Sequence, residues 1–215
     1  SKLIHCQVMA EYKSIGVLGA GSWGTALAVH LANIGHEVSL WARRTEHADD
    51  INATRENRRY LPNTTLPKTL IATGDLEQAL HQKDLVISVV PSHTKRSVWT
   101  VAARYIAKDT PVMSASKGIE NESLALMSGV LEDVLPNNPL AFLAGPSFAK
   151  EVVAQLPTAV VIGSKSVQLN DDLQALFSND KLRAYGTTDV IGIEVGGALK
   201  NVIAIACGCV DGIGF

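Results

Sequence analysis

Five groups in this chain combine residue type and spacing in ways that could do chemistry on an anion or a carbonyl. The first is the run Gly19-Ala20-Gly21-Ser22-Trp23-Gly24. In a dinucleotide-binding turn, Gly19 would allow the tight bend and Gly21 would let the backbone approach a pyrophosphate. Gly24 would let the following helix pack closely on the strand. A Gly-x-Gly-x-x-Gly match alone is weak, but here the context is the one the mechanism requires. An apolar run, Ser14 to Leu18, precedes the turn, and Ala26, Leu27, His30, Leu31 and Ile34 follow at helical spacing up to Gly35. The helix N-terminus then offers free N–H groups and a positive dipole end to an anion.

The second group is Arg43-Arg44, at the end of the next strand-like segment. A site that prefers NAD usually carries Asp or Glu there, to accept from the ribose hydroxyls. An arginine cannot accept, but its planar fork suits a 2′-phosphate, so NADP(H) is expected to be used well beside NAD(H). Lys117 follows another strand in Ser116-Lys117-Gly118-Ile119-Glu120, at the sheet edge where open α/β folds bind ligands. It could hold a phosphate or polarise a carbonyl, and a plain surface lysine fits the spacing nearly as well. Gly145 and Ser147, in Ala144-Gly145-Pro146-Ser147-Phe148-Ala149, stand where a strand gives way to a helix. The serine could cap that helix or touch a substrate.

Lys200 is the fifth. It lies in Glu194-Val195-Gly196-Gly197-Ala198-Leu199-Lys200-Asn201-Val202, an apolar, glycine-rich helical pattern. An ammonium is costly to bury unless paired, and burial brings its proton into a useful range for acid–base work. Gly196 and Gly197 give up helix propensity, which makes sense where backbone or ligand comes close.

The elements that must hold these groups alternate. Strands are expected at residues 14–18, 38–41, 69–72, 84–90, 111–116, 140–144, 158–162 and 182–185. Helices are expected after the glycine turn and at 76–81, 94–106, 123–135 and 167–177. Nearly continuous apolar strands separated by helices predict an α/β, doubly wound, mostly parallel sheet of Rossmann type. Near Asp189 the pattern becomes one long apolar helix. The expected division is a dinucleotide-binding domain over 1–188 and, over 189–215, the first helix of an all-helical substrate domain.

Composition bounds the rest. With 47% hydrophobic and 19% charged residues in 215, the chain should form a packed core. A net charge of -2 offers no basic field for nucleic acid. Cys6, Cys207 and Cys209 lack zinc spacing and, two apart on a helix, the last pair diverges, so reduced thiols in the cytoplasm are the default. No metal pattern arises from His5, His30, His36, His47, His81 or His93, although His93 could line the cofactor cleft. Ser1 to Tyr12 reads as a tail rather than a signal peptide. Asn201 to Phe215 carries Asp211 and is shorter than the ~20 apolar residues of a spanning helix, so a buried helix is expected there and no membrane insertion.

Four motifs in series then carry a resemblance: Gly19 to Ala28, Ser116 to Glu120, Ala144 to Ala149, and Gly197 to Val202, with Asn57 to Asn63 fitting beside them. From about Ser14 to Phe215 the sequence resembles bacterial NAD(P)-dependent glycerol-3-phosphate dehydrogenase. The resemblance implies hydride transfer between NAD(P)H and dihydroxyacetone phosphate, giving sn-glycerol 3-phosphate for phospholipid synthesis. By motif it implies cofactor contacts from Gly19, Gly21, Ser22, Trp23, Gly24, Arg43, Arg44, Lys117 and Ala149, with Tyr60 the weaker candidate. Lys117, Gly145, Ser147 and Lys200 would meet the substrate, Lys200 as general acid in reduction and general base in oxidation. Family members have a longer helical domain, and an Arg-Asn pair that helps hold the phosphate would lie beyond Phe215. These 215 residues alone are therefore expected to bind cofactor and turn over poorly. Oligomeric state is left open, with a homodimer as the candidate.

Two rivals remain. The lysine-dependent hydroxyacid dehydrogenases share a glycine turn, a helical second domain and a catalytic lysine, but Gly145 to Ala149 and Ser116 to Glu120 argue against them. A dinucleotide-sensing module would need the turn and would have no need of Lys200.

Overall fold

The computed structural model describes residues 11–214; Lys2, His5 and Cys6 lie outside them. An eight-stranded sheet organises the chain. The first unit runs from β1 (Ser14–Leu18) through α1 (Ser22–Asn33) to β2 (Glu37–Trp41) and α2 (Thr45–Thr54). A hairpin of β3 (Glu56–Asn57) and β4 (Leu61–Thr65) precedes β5 (Leu70–Thr73). Next come α3 (Leu76–Leu80), β6 (Leu85–Ser88), α4 (Ser92–Ala102), β7 (Val112–Ser114), α5 (Met127–Val134), β8 (Leu140–Ala144) and α6 (Ala149–Val153). The chain closes with β9 (Thr158–Gly163), α7 (Val167–Phe177), β10 (Leu182–Thr187) and α8 (Val190–Gly212).

Strand order is β10-β9-β8-β7-β6-β1-β2-β5. The chain leaves β1 toward β2 and β5, then returns to lay β6 on the other side of β1. This reversal opens a crevice at the carboxyl end of β1, the place where such sheets take ligands. All pairings from β5 to β8 are parallel, whereas β9 runs antiparallel to β8 and parallel to β10.

Alternation along the strands builds a core on each face. Ile15, Val17, Leu85 and Ile87 pack with Leu27 and Leu31 of α1 and Leu173 and Phe177 of α7. Leu18, Val86 and Val112 pack with Leu80 of α3, Trp99 of α4 and Leu131 of α5. Both faces are therefore covered, which is why these strands read as unbroken apolar runs.

Some expectations need correction. Helix α5 begins at Met127 rather than near Ser123, because residues 119–126 form a loop closed by a bridge between Ile119 and Leu126. The hairpin and α2 had no counterpart in the sequence reading; α2 buries only Ala48 and Ile51, too sparse a stripe to register as periodic. The largest revision concerns the last helix. Residues 201–214 are exposed along their whole length, so this stretch is not a buried helix among the described residues. Nor is it short: α8 counts 23 residues from Val190 and is long and apolar enough to cross a membrane by length and composition. Val190 and Ile193 of its first turn sit in the core beside β8, and Glu194, Gly197, Ala198 and Lys200 are half-buried.

Candidate functional site

At the crevice, Gly19 adopts φ +120, and a Cβ there would stand 2.9 Å from the Val89 carbonyl oxygen. A Cβ on Gly24 would lie only 1.9 Å from the Gly19 oxygen, so α1 can sit this close to the turn only with glycine at that place. Gly21 differs: a Cβ there would meet nothing within 4 Å and would project into the cleft. No side chain caps α1, so the N–H groups of its first turn stay available to a ligand. The turn is braced by a residue the sequence reading did not single out. Buried Asn57 donates through Nδ2 to Ala20 O at 3.0 Å and to Thr25 Oγ1 at 2.8 Å, and His47 Nε2 lies 3.0 Å from its Oδ1. That link joins the hairpin to the turn and explains why residues 57–63 carry signal.

A cavity of about 600 Å³ opens in front of the turn, lined among others by Gly21, Arg43, Arg44, Tyr60, His93 and Arg59. Its volume falls in the usual range for small-molecule and cofactor sites. Arg43 and Arg44 are exposed at the carboxyl end of β2, with Arg44 heading α2. Arg59 lies 5.3 Å from the Tyr60 ring centre, and His47 meets the same ring edge-on at 5.5 Å. Arg59 escaped the sequence reading because nothing in its local pattern distinguishes it from a solvated surface charge. The other histidines with partners, His30 on Phe177 O and His36 on Tyr12 O, serve the fold.

A second cavity of about 400 Å³ begins at Ser22 and Trp23 and runs past Pro91 to Lys117, Ser147, Phe148 and Ala149. Two buried polar atoms here have no hydrogen-bond partner, Trp23 Nε1 and Ser147 Oγ. Unmet buried groups are rare in folded proteins, and both of these residues line the cavity. Ser147 does not cap α6, whose N-cap is Phe148 without a side-chain bond; of the two roles open to it, capping is not the one adopted. Gly145, at φ +156, is tight against β9, where a Cβ would meet Ala159 O at 3.0 Å.

Lys117 lines this second cavity, and Lys200 reaches its edge over Phe148. Lys117 Nζ donates to Gly145 O at 3.2 Å. Partial burial and then the neighbouring Lys200 ammonium hold the Lys117 amine below the usual lysine range. Glu120 anchors the Lys117 loop to α4 by accepting from Arg96 Nη2 at 2.9 Å, and Arg96 lowers its carboxyl in turn. Lys200 is half-buried rather than buried, with Nζ 4.9 Å from the Phe148 ring centre. The close approach on α8 occurs at Gly197, within 3.9 Å of Lys117 Cγ for a virtual Cβ, and not at Gly196, which faces open space. Among the described residues, no three His, Cys, Asp or Glu side chains gather to hold a metal. Cys207 and Cys209 are free and exposed.

The arrangement fits a dinucleotide on its own evidence: an uncapped helix N-terminus, a glycine facing an open cleft and an orphaned indole N–H beside it. A doubly wound sheet with a phosphate-receiving turn at its switch point defines the class, that of the dinucleotide-binding α/β proteins.

The comparisons narrow the class. A family model for the NAD-dependent glycerol-3-phosphate dehydrogenase N-terminus matches residues 14–170, and that for the C-terminus matches residues 189–215. The chain belongs to the NAD-dependent glycerol-3-phosphate dehydrogenase family. It is 48% identical over 204 residues to the glycerol-3-phosphate dehydrogenase [NAD(P)+] of Leptospira biflexa, covering 94% of this chain and 61% of that relative. The enzyme of the same name from Syntrophotalea carbinolica is 45% identical, with 94% and 62% covered. Among solved structures, glycerol-3-phosphate dehydrogenase from Coxiella burnetii superposes with a TM-score of 0.87 at 40% identity, covering 94% of this chain and 62% of that one. The chain thus spans about three-fifths of the length of the relatives it matches.

Proposed function

We propose that this protein reduces dihydroxyacetone phosphate to sn-glycerol 3-phosphate with NADPH or NADH, and runs the reverse oxidation. The observation that carries this is that Lys117 and the unpartnered Ser147 Oγ line a cavity continuous with the glycine turn, with Lys200 beside Lys117 and over the Phe148 ring at its edge. Two cations side by side repel each other, an arrangement that a phosphorylated substrate relieves. The names of the relatives agree with this substrate.

Within this reading Gly19, Gly21, Ser22, Trp23, Gly24, Arg43, Arg44, Tyr60, Lys117 and Ala149 hold the dinucleotide. Lys117, Gly145, Ser147 and Lys200 meet the substrate. The nicotinamide, when bound, supplies or accepts the hydride. Delivery of hydride to the carbonyl carbon leaves charge on oxygen, and the Lys200 ammonium gives that oxygen its proton. In oxidation the neutral Lys200 amine takes the hydroxyl proton. Lys117 stabilises negative charge on the substrate, and Ser147 Oγ orients it. Residues 1–188 then form the dinucleotide domain and 189–215 the opening helix of the substrate domain. A cytoplasmic site of action and a homodimer complete the proposal.

The test compares dihydroxyacetone phosphate, unphosphorylated dihydroxyacetone and a panel of 2- and 3-oxoacids in the full-length protein, followed by NADPH absorbance. Turnover confined to the phosphorylated ketone is expected; preference for an oxoacid would hand the site to the hydroxyacid dehydrogenases.

A further inference from the structure

Beneath the lysines of the proposed reaction lies another that takes no part in it. Lys95, on the inner face of α4, is fully buried, which is rare for a lysine. Its Nζ donates to Ser114 Oγ at 2.8 Å and to Ser88 Oγ at 3.1 Å, at the carboxyl ends of β7 and β6. Trp99 Nε1 donates to the same Ser88 Oγ at 2.8 Å. Across from this cluster stands Glu194 of α8. Its Oε1 accepts from the Ser128 N–H of α5 at 3.0 Å, while its buried Oε2 has no partner. A small space of about 10 Å³, near the room one water needs, is lined among others by Ser114, Lys117, Glu194 and Gly197. It connects the serine held by Lys95 to the carboxylate on α8. Burial pushes the Lys95 amine down to about 7 and the Glu194 carboxyl up, and each opposes the other's shift by its charge.

What α8 otherwise rests on is smooth. Its apolar grip is confined to Val190 and Ile193, and from residue 201 onward it is exposed. Beside Lys117 it presents Gly197, whose missing side chain leaves nothing to interlock with Ala144. Beyond Ile193, which seats against Gly163, little apolar interlock fixes the helix. Buried polar groups cost stability but can specify one register. Lys200 follows Glu194 by six residues on the same rigid helix, about 9 Å along its axis, so whatever fixes the carboxylate fixes the reach of the ammonium.

We propose that Lys95 and Glu194 are positioning residues: a buried polar link from α4 through Ser114 to α8 that sets the register of α8 and so the placement of Lys200 beside Lys117 and Ser147. This rests on the reading of Lys200 as the proton donor.

The experiment is a double-mutant cycle in the full-length protein with Lys95→Met, Glu194→Gln and both together, reading kcat, KM, NADPH affinity and Tm. Displacement of a reacting group by an ångström costs about a hundredfold, so each single variant should lose about ten- to hundredfold in kcat. NADPH affinity should stay within about twofold of the parent, because the glycine turn lies apart from the link. The double variant should be no worse than the poorer single one, since a link cut once has nothing left to hold. Lys95→Met should keep or raise Tm while losing kcat, opposite to what a merely structural lysine would do. Unchanged kcat in the single variants, losses that multiply in the double, or an equal fall in NADPH affinity would each overturn the link. Failure of the underlying functional reading would look different: the parent protein itself would not reduce dihydroxyacetone phosphate.

Discussion

The glycine-turn cleft and the α8 lysine site are built on opposite terms. The cleft is made from one strand–turn–helix unit, braced by Asn57, and its backbone leaves no slack between Gly19 and Gly24. Its cations, Arg43 and Arg44, stand in solvent at its mouth. The lysine site instead joins groups from β7, β8 and α8, distant in sequence, and one of its walls is a helix whose apolar anchors are confined to its first turn. Recognition of the dinucleotide is therefore local and stiff, whereas proton transfer depends on how a weakly seated helix is held.

The two regions can therefore be broken separately. Lys200→Ala should lower kcat by about 10²- to 10⁴-fold, the usual scale of general acid–base catalysis, and leave NADPH titration by fluorescence unchanged. Loss of both together would merge the regions. Within the cleft, Gly24→Ala forces its Cβ onto the Gly19 oxygen, and such overpacking costs about 1–3 kcal/mol or more in thermal unfolding and takes NADPH binding with it. Gly21→Ala should weaken NADPH and leave Tm alone, because its Cβ enters open cleft; an equal drop in Tm would show the cleft to be less preformed than its geometry implies.

Replacing Arg43 and Arg44 by Gln should cost about ten- to a hundredfold in kcat/KM for NADPH relative to NADH, the worth of charge-assisted bonds to a phosphate. An unchanged cofactor ratio would make them solvated surface charges. The smallest effect concerns pH. Lys95 has a folded value of about 7 against an ordinary 10.5, so between those values the unfolded chain binds the proton that the folded chain lacks. Stability should therefore be lowest below pH 7 and climb as pH rises, by about 1–2 kcal/mol between pH 7 and 8.5. Urea midpoints across that range would show the slope, and Lys95→Met should flatten it.

The legibility of the sequence follows the same division. Ser14 to Leu18, Leu140 to Ala144 and Val167 to Phe177 were read with the bounds they have in the fold, because apolar runs and helical stripes report burial directly. The glycine turn was legible because its constraint is local: steric room, positive φ and a helix start all lie within six residues. Helix α2 and the hairpin were not, since few of their side chains are buried. Lys95 and Glu194 carry no local signal, as their meaning comes from partners far apart in the chain.

By itself, then, the sequence determined the alternating sheet, the phosphate-receiving turn and the lysines worth suspecting, because each is written in short-range periodicity or in a motif. Only the tertiary structure decided which lysine is buried, which serine lacks a partner, and that the last helix lies open from residue 201 onward. Those are properties of packing between segments far apart in the chain, and neither the spacing nor the type of any one residue encodes them.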